Sequence, residues 1–205
     1  MAQIKFKIKN SSGGITLIEI VVVIFIIALF SMILISDFPK IQRQFALSRV
    51  TYKLAQDLRK TQDLGLSGVQ IKDSQGNPIA AKGYGIYIST PPTEQYVIYA
   101  DRGNNPNYKY DNSSSQLCSD NTEPESDCIL ETIDVSKENP DLKIKNIENI
   151  IGSYVSINFR PPDPIVDIDT LSSSSSKIGI VLGLSSDSSA IRKVWVNTSG
   201  LINVQ

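Results

Sequence analysis

Glu19 is the one carboxylate at the head of a stretch that, from Ile20 to Ile35, carries no charge and only Ser31 as a polar side chain. A carboxylate near the centre of a bilayer costs roughly 2.5–3.5 kcal/mol, somewhat less near an end, so an acid in such a run calls for a reason. The plainer reading is a polar residue tolerated near the interface, where its charge suits the positive end of a helix dipole. Cys118 and Cys128 are the two thiols of the chain, with nine residues between them in a polar loop. In an oxidising compartment they close a small ring worth about 2–3 kcal/mol by chain entropy; otherwise they are two free thiols. The chain has no histidine and no third thiol, which argues against a zinc centre.

Asp101, Asn104, Asn105, Asn107 and Asp111 form an oxygen-rich stretch. It resembles a calcium loop only loosely, because Asn112 stands where the twelfth-position glutamate belongs. Calcium through Asp101, Asn105 and Asp111 is therefore the weaker reading, and turn formation by Asn and Asp the better one. Asp163, Asp167 and Asp169 are read with the same caution. Tyrosines 84, 87, 96, 99, 108 and 110 alternate at strand spacing and read as half-buried sheet positions before a base-stacking platform. Arg192 and Lys193 beside Trp195 read as an exposed strand face. Without histidine, acid–base work would fall to carboxylates, lysine or tyrosine, and no spaced cluster pairs a nucleophile with a base. There is no phosphate-binding glycine loop. The chain is not expected to be an enzyme.

The segment holding Glu19 must be a membrane span. Ile15 to Ser36 is 22 residues, about 33 Å of helix at roughly 1.5 Å per residue. Met1 to Gly14 carries Lys5, Lys7 and Lys9, no acid and no apolar stretch of its own. A secretory signal would place its apolar core before the cleavage site, whereas here it follows Gly13-Gly14. Lys40, Arg43, Arg49 and Lys53 follow the span, so basic residues flank both ends and charge counting alone does not orient it.

The run Gly13-Gly14-Ile15-Thr16-Leu17-Ile18-Glu19 resembles the processing site of type IV pilins and type II secretion pseudopilins. That resemblance implies cleavage after Gly14 by a prepilin peptidase on the cytoplasmic face and methylation of the new amine on Ile15. Ile15 departs from the phenylalanine more frequent there. Glu19 would be the fifth mature residue and would pair with the cationic amine of Ile15 on a neighbouring subunit; each charge is costly alone in an apolar bundle, and pairing offsets part of both penalties. The resemblance also implies an N-terminus in the cytoplasm, a globular domain outside, partners among other pilin subunits, and an inner-membrane assembly platform. Removing three of the 20 Lys and Arg leaves 17 against 21 Asp and Glu, a net charge of −4, which offers nucleic acid no general attraction.

Beyond the span, Ile41, Phe45 and Tyr52 fall near one helical face, and Leu47, Val50, Leu54 and Leu58 recur at spacings of three and four. An amphipathic helix is expected to Leu66, with stop signals at Gly65 and Gly68. Pro39 predicts a kink or a short unwound turn near Ser36 to Pro39. Short strands are expected at 83–88, 96–99, 129–135, 154–159, 178–184, 191–196 and 201–204. Pro91-Pro92 and Thr198-Ser199-Gly200 supply turns, Asp111 to Glu125 a loop, and Ser172 to Ser176 a linker. The runs GYGIYI, YVIYADRGNNPNYKYD and VWVNTSGLINV look most like the minor, H-type pseudopilins.

The expected organisation is a basic leader (1–14), a transmembrane helix (15–36), an amphipathic continuation (37–66) and an extracytoplasmic β-rich domain (67–205). The fold class is α+β, a long bent N-terminal helix packed on a C-terminal antiparallel sheet. The expected function is a prepilin-type subunit, minor rather than major, of a type IV pilus or a secretion pseudopilus. The competing class is a monomeric single-span membrane protein whose external domain binds a ligand.

Overall fold

The computed structural model describes residues 14–72, 75–79, 81–102, 109–111, 116–119, 127–150, 152–161, 165–170 and 175–205. The chain divides into two compact units, Met1–Ile41 and Gln42–Gln205. One helix, α1 (Leu17–Ser67), runs through both.

In the first unit the helix is continuous through Pro39, so of the kink or unwound turn expected near 36–39 the unwound turn is not formed. Proline removes only its own donor, and a helix can absorb that loss where neighbouring bonds persist. No part of the apolar stretch is buried, and it is long and apolar enough to cross a membrane.

In the second unit, α1 buries Leu47, Val50, Leu54, Ala55 and Leu58. These positions recur every three to four residues and so share one face. Two threonines on this face, Thr51 and Thr61, are fully buried, and each donates its hydroxyl to a carbonyl one turn back, on Leu47 and Asp57, at 2.7 Å. The helix thus satisfies its own buried polar groups. It passes through Gly65 and ends at Ser67, one residue beyond the expected limit. Gly68 supplies the stop with a φ of 57°, the left-handed conformation that ends helices. Gly65 serves packing instead, since a Cβ there would sit 2.6 Å from the Phe159 carbonyl oxygen.

The strands are β1 (Ile71–Lys72), β2 (Pro78–Ile79), β3 (Gly83–Ile88), β4 (Gln95–Asp101), β5 (Cys128–Asp134), β6 (Leu142–Glu148), β7 (Val155–Arg160), β8 (Ile165–Thr170), β9 (Lys177–Leu184), β10 (Ile191–Asn197) and β11 (Ile202–Val204). They form two larger antiparallel sheets rather than one. The first has the order β5-β4-β3-β7-β8 and the second β11-β10-β9-β6, with β1 and β2 a separate pair. All seven expected strands are present within a residue or two. Four were not anticipated: β1, β2, β6 and β8.

One core joins the helix to both sheets. It takes Ile86, Ile88, Tyr96, Ile98, Val155 and Ile157 from the first and Ile144, Ile180, Leu182, Val194 and Val196 from the second. The helix stripe is therefore shared by two sheets. Its other expected apolar face behaves differently: Phe45 and Tyr52 remain exposed, at 69% and 55%.

Candidate functional site

Among the described residues, apolar exposure is concentrated in the first half of α1. Gly14, Ile15 and Thr16 are not helical. Thr16 caps the helix: its hydroxyl oxygen accepts the Glu19 N–H at 3.3 Å, and its carbonyl accepts from Glu19 and Ile20 at 3.1 and 3.3 Å. Thr16 and Glu19 have the three-residue spacing of a capping box, so Glu19 sits in the first turn, where a negative charge complements the helix dipole. The signature is carried by the sequence itself, in Thr16-Leu17-Ile18-Glu19. Gly13 lies outside the described residues, and a Cβ added to Gly14 would meet nothing within 4 Å.

Ile15 is 73% exposed, and the apolar residues from Leu17 to Ile35 are exposed on every side of the helix. Each such side chain left in water forgoes roughly 1.5–3 kcal/mol of burial, so this surface requires lipid or protein around it. Within the run, Ser31 donates its hydroxyl to the Ile27 carbonyl at 2.8 Å, which satisfies it without a partner helix.

A second concentration of chemistry lies in the globular unit around β5. Cys118 and Cys128 are bonded, with Cα atoms 4.8 Å apart, and both are buried beside Tyr84 and Ala100. Cys118 N–H donates to the Ile129 carbonyl at 2.9 Å, and Ile129 N–H to the Gln116 carbonyl at 2.9 Å, so the segment around Cys118 pairs with β5. Next to it is Asp127, a residue not singled out from sequence. Its carboxylate accepts the Asp111 N–H at 2.8 Å and is itself buried. Burial is the main force pushing its pKa up to about 6. The negative charge of Asp111 adds to the rise, while the Asp111 and Arg102 amides and the Arg102 charge oppose it.

Asp101 is buried in β4, Asp111 is exposed, and Asn105 lies outside the described residues. Among the described residues no group of three or more His, Cys, Asp or Glu is placed to hold a metal. Asp167 faces the Arg160 guanidinium at 2.6 Å, and Asp169 accepts from the Tyr154 phenol at 3.3 Å. Asn104, Asn107, Asn112 and Asp163 lie outside the described residues.

Of the tyrosines expected in strands, Tyr84 and Tyr87 lie in β3 and Tyr96 and Tyr99 in β4, whereas Tyr110 lies outside any strand and Tyr108 is not described. Tyr84, Tyr96 and Tyr99 are fully buried. Tyr99 shares a hydrogen bond with the Ser156 hydroxyl at 2.7 Å and accepts from Asn158 at 3.2 Å. On the second sheet, Lys193 pairs with Glu148 at 2.7 Å, and Trp195 donates to the Gln205 side chain at 2.9 Å beneath the Lys177 ammonium.

No family model, no curated protein and no solved structure matches this chain.

Proposed function

We propose that the chain is a prepilin-type subunit, cut between Gly14 and Ile15 and then assembled through its N-terminal helix into a pilus or secretion pseudopilus. The observation that carries this reading is the placement of the cap. The Gly14–Ile15 peptide lies in non-helical backbone, and the helix begins two residues later on its own signal at Thr16. A protease can therefore reach the bond without unwinding the helix, and the helix keeps its cap after the cut.

Two further features support assembly. Among the described residues the apolar surface of 17–35 is exposed, so it suits a bilayer first and neighbouring helices afterwards. In the globular unit, Phe45 and Tyr52 lie away from the buried stripe, an exposed apolar edge on which another subunit can pack. Glu19 then meets the methylated amine of a neighbouring Ile15. The prepilin peptidase, sister subunits and an inner-membrane platform are the partners, and the globular unit lies outside the cytoplasmic membrane.

The test is intact mass and N-terminal sequence after co-expression with a prepilin peptidase. Loss of fourteen residues and a methyl group on Ile15 is the expected result. An uncut chain, beside a prepilin control that is cut, would overturn the proposal.

A further inference from the structure

The first sheet has a face turned away from the core, and it carries a groove of about 500 Å³. Strand alternation sets this face: Ile86, Ile88, Tyr96 and Ile98 point into the core, so Tyr87 and Val97 point out. Cavities of this size accept small organic ligands. One wall is aromatic. Tyr87 packs on Tyr110 with ring centroids 4.9 Å apart, and Tyr110 packs on Tyr99 at 5.1 Å. Tyr99 is in turn fixed by Ser156 and Asn158, and it fits only because Gly85 has no side chain, since a Cβ there would sit 2.4 Å from its ring. The wall is pre-set, so little ordering entropy is spent on binding.

The rest of the lining is hydroxyl and amide. Ser89, Thr93, Gln95 and Thr132 face the groove. Among the described residues the phenols of Tyr87 and Tyr110 and the Thr132 hydroxyl have no hydrogen-bond partner. Charge is nearly absent. Among the described residues the lining includes no lysine or arginine, and its carboxylate, Glu94, is paired with Lys143 at 3.1 Å. An anion would meet only Lys143, already paired with Glu94, and a cation would have to displace that lysine. Val97, Pro92 and Ile129 add apolar patches between the polar groups.

We infer that this groove binds a short neutral saccharide. Sugar rings present C–H faces that stack on tyrosine and hydroxyls that exchange bonds with Ser, Thr, Gln and phenol, the combination the groove offers. The inference stands apart from the assembly proposal, because it uses only the globular unit and needs no filament.

The test uses the full chain in lipid nanodiscs, with glycoside detergents excluded because their headgroups are themselves saccharides. Maltotriose, cellotriose, chitotriose and xylotriose are titrated calorimetrically to about 10 mM. Saturable binding of at least one is expected, weakened about tenfold or more by Tyr87→Ala and by Thr132→Val, and unchanged by Trp195→Phe on the other sheet. Thr132→Val keeps the test valid if Tyr87→Ala fails to fold. Failure of all four sugars to saturate, or equal binding by the groove variants, would overturn it.

Discussion

The phenol of Tyr96 in β4 donates to the Asp57 carboxylate of α1 at 2.5 Å, inside the core and across 39 residues of sequence. Lys53 approaches the same oxygen at 3.2 Å from one helical turn away. The bond pins the helix to the first sheet at one rotation, since Asp57 reaches Tyr96 only from that face. Burial, and then the bond to Asp57, push the Tyr96 phenol well above its ordinary range, so it stays a donor at any physiological pH.

Tyr96→Phe should therefore cost about 1–3 kcal/mol, because the carboxylate stays buried with Lys53 as its remaining partner. Denaturant titration of wild type and variant measures it, and a change below about 0.5 kcal/mol would mean that water replaces the phenol at no cost.

Asp127 gives a pH dependence whose sign runs against the usual acid denaturation. Its folded pKa, about 6, lies above the unfolded value of 3.8, so the folded state binds the proton more tightly. Its stabilising contribution is full below pH 3.8 and is lost as pH rises through 6. Stability should thus rise by about 2 kcal/mol between pH 7 and pH 4. Asp134, Asp141 and Asp187 act oppositely, but their pKa values are lowered, chiefly by bonds from Ser136, Ser186 and Ser189, so their losses fall at lower pH. Melting curves across this range should show the rise in wild type and a flat profile in Asp127→Asn.

Reducing the Cys118–Cys128 bridge should lower stability by about 3 kcal/mol, the entropy of a ring closed over ten positions. Mass before and after reduction checks the bond, and paired melts check the cost. A reduced protein that melts with the oxidised one would assign the local order to the β5 hydrogen bonds alone.

Assembly should separate from folding at two places. Glu19→Ala should be processed normally yet enter filaments poorly. The double variant Phe45→Ser, Tyr52→Ser should melt as wild type does, both side chains being exposed, and also assemble poorly. Full incorporation of either variant, scored by sheared-filament yield, would remove that contact from the proposal.

Much of this layout was legible in the chain. Long β-rich runs such as Gly83–Ile88 and Lys177–Leu184 announce themselves by composition, and the stripe Leu47, Val50, Leu54, Leu58 by period. β6 and β8 were not expected, although Leu-Lys-Ile-Lys and Val-Asp-Ile-Asp alternate cleanly; in β8 the polar half, Asp167 and Asp169, was weighed as a metal candidate rather than as the outer side of a strand. The helix face was half misread for the opposite reason. Ile41, Phe45 and Tyr52 look like core by type, but a helix on a sheet has one inward side, and the threonines Thr51 and Thr61 took places there by bonding to their own backbone. Asp127 could not be seen, because its importance comes from an amide sixteen residues earlier. The groove at Tyr87 is a product of pairing between strands and has no signature along the chain.

The Thr16 cap lies downstream of the bond proposed to be cut. Severing Gly14 from Ile15 removes Lys5, Lys7 and Lys9 without costing the helix a turn. Near an anionic leaflet each such lysine holds the chain by about 1 kcal/mol, so one peptide hydrolysis would release roughly 3 kcal/mol of electrostatic tether. Maturation would then be a mooring line cast off: the same rod in the same lipid, newly free to leave it.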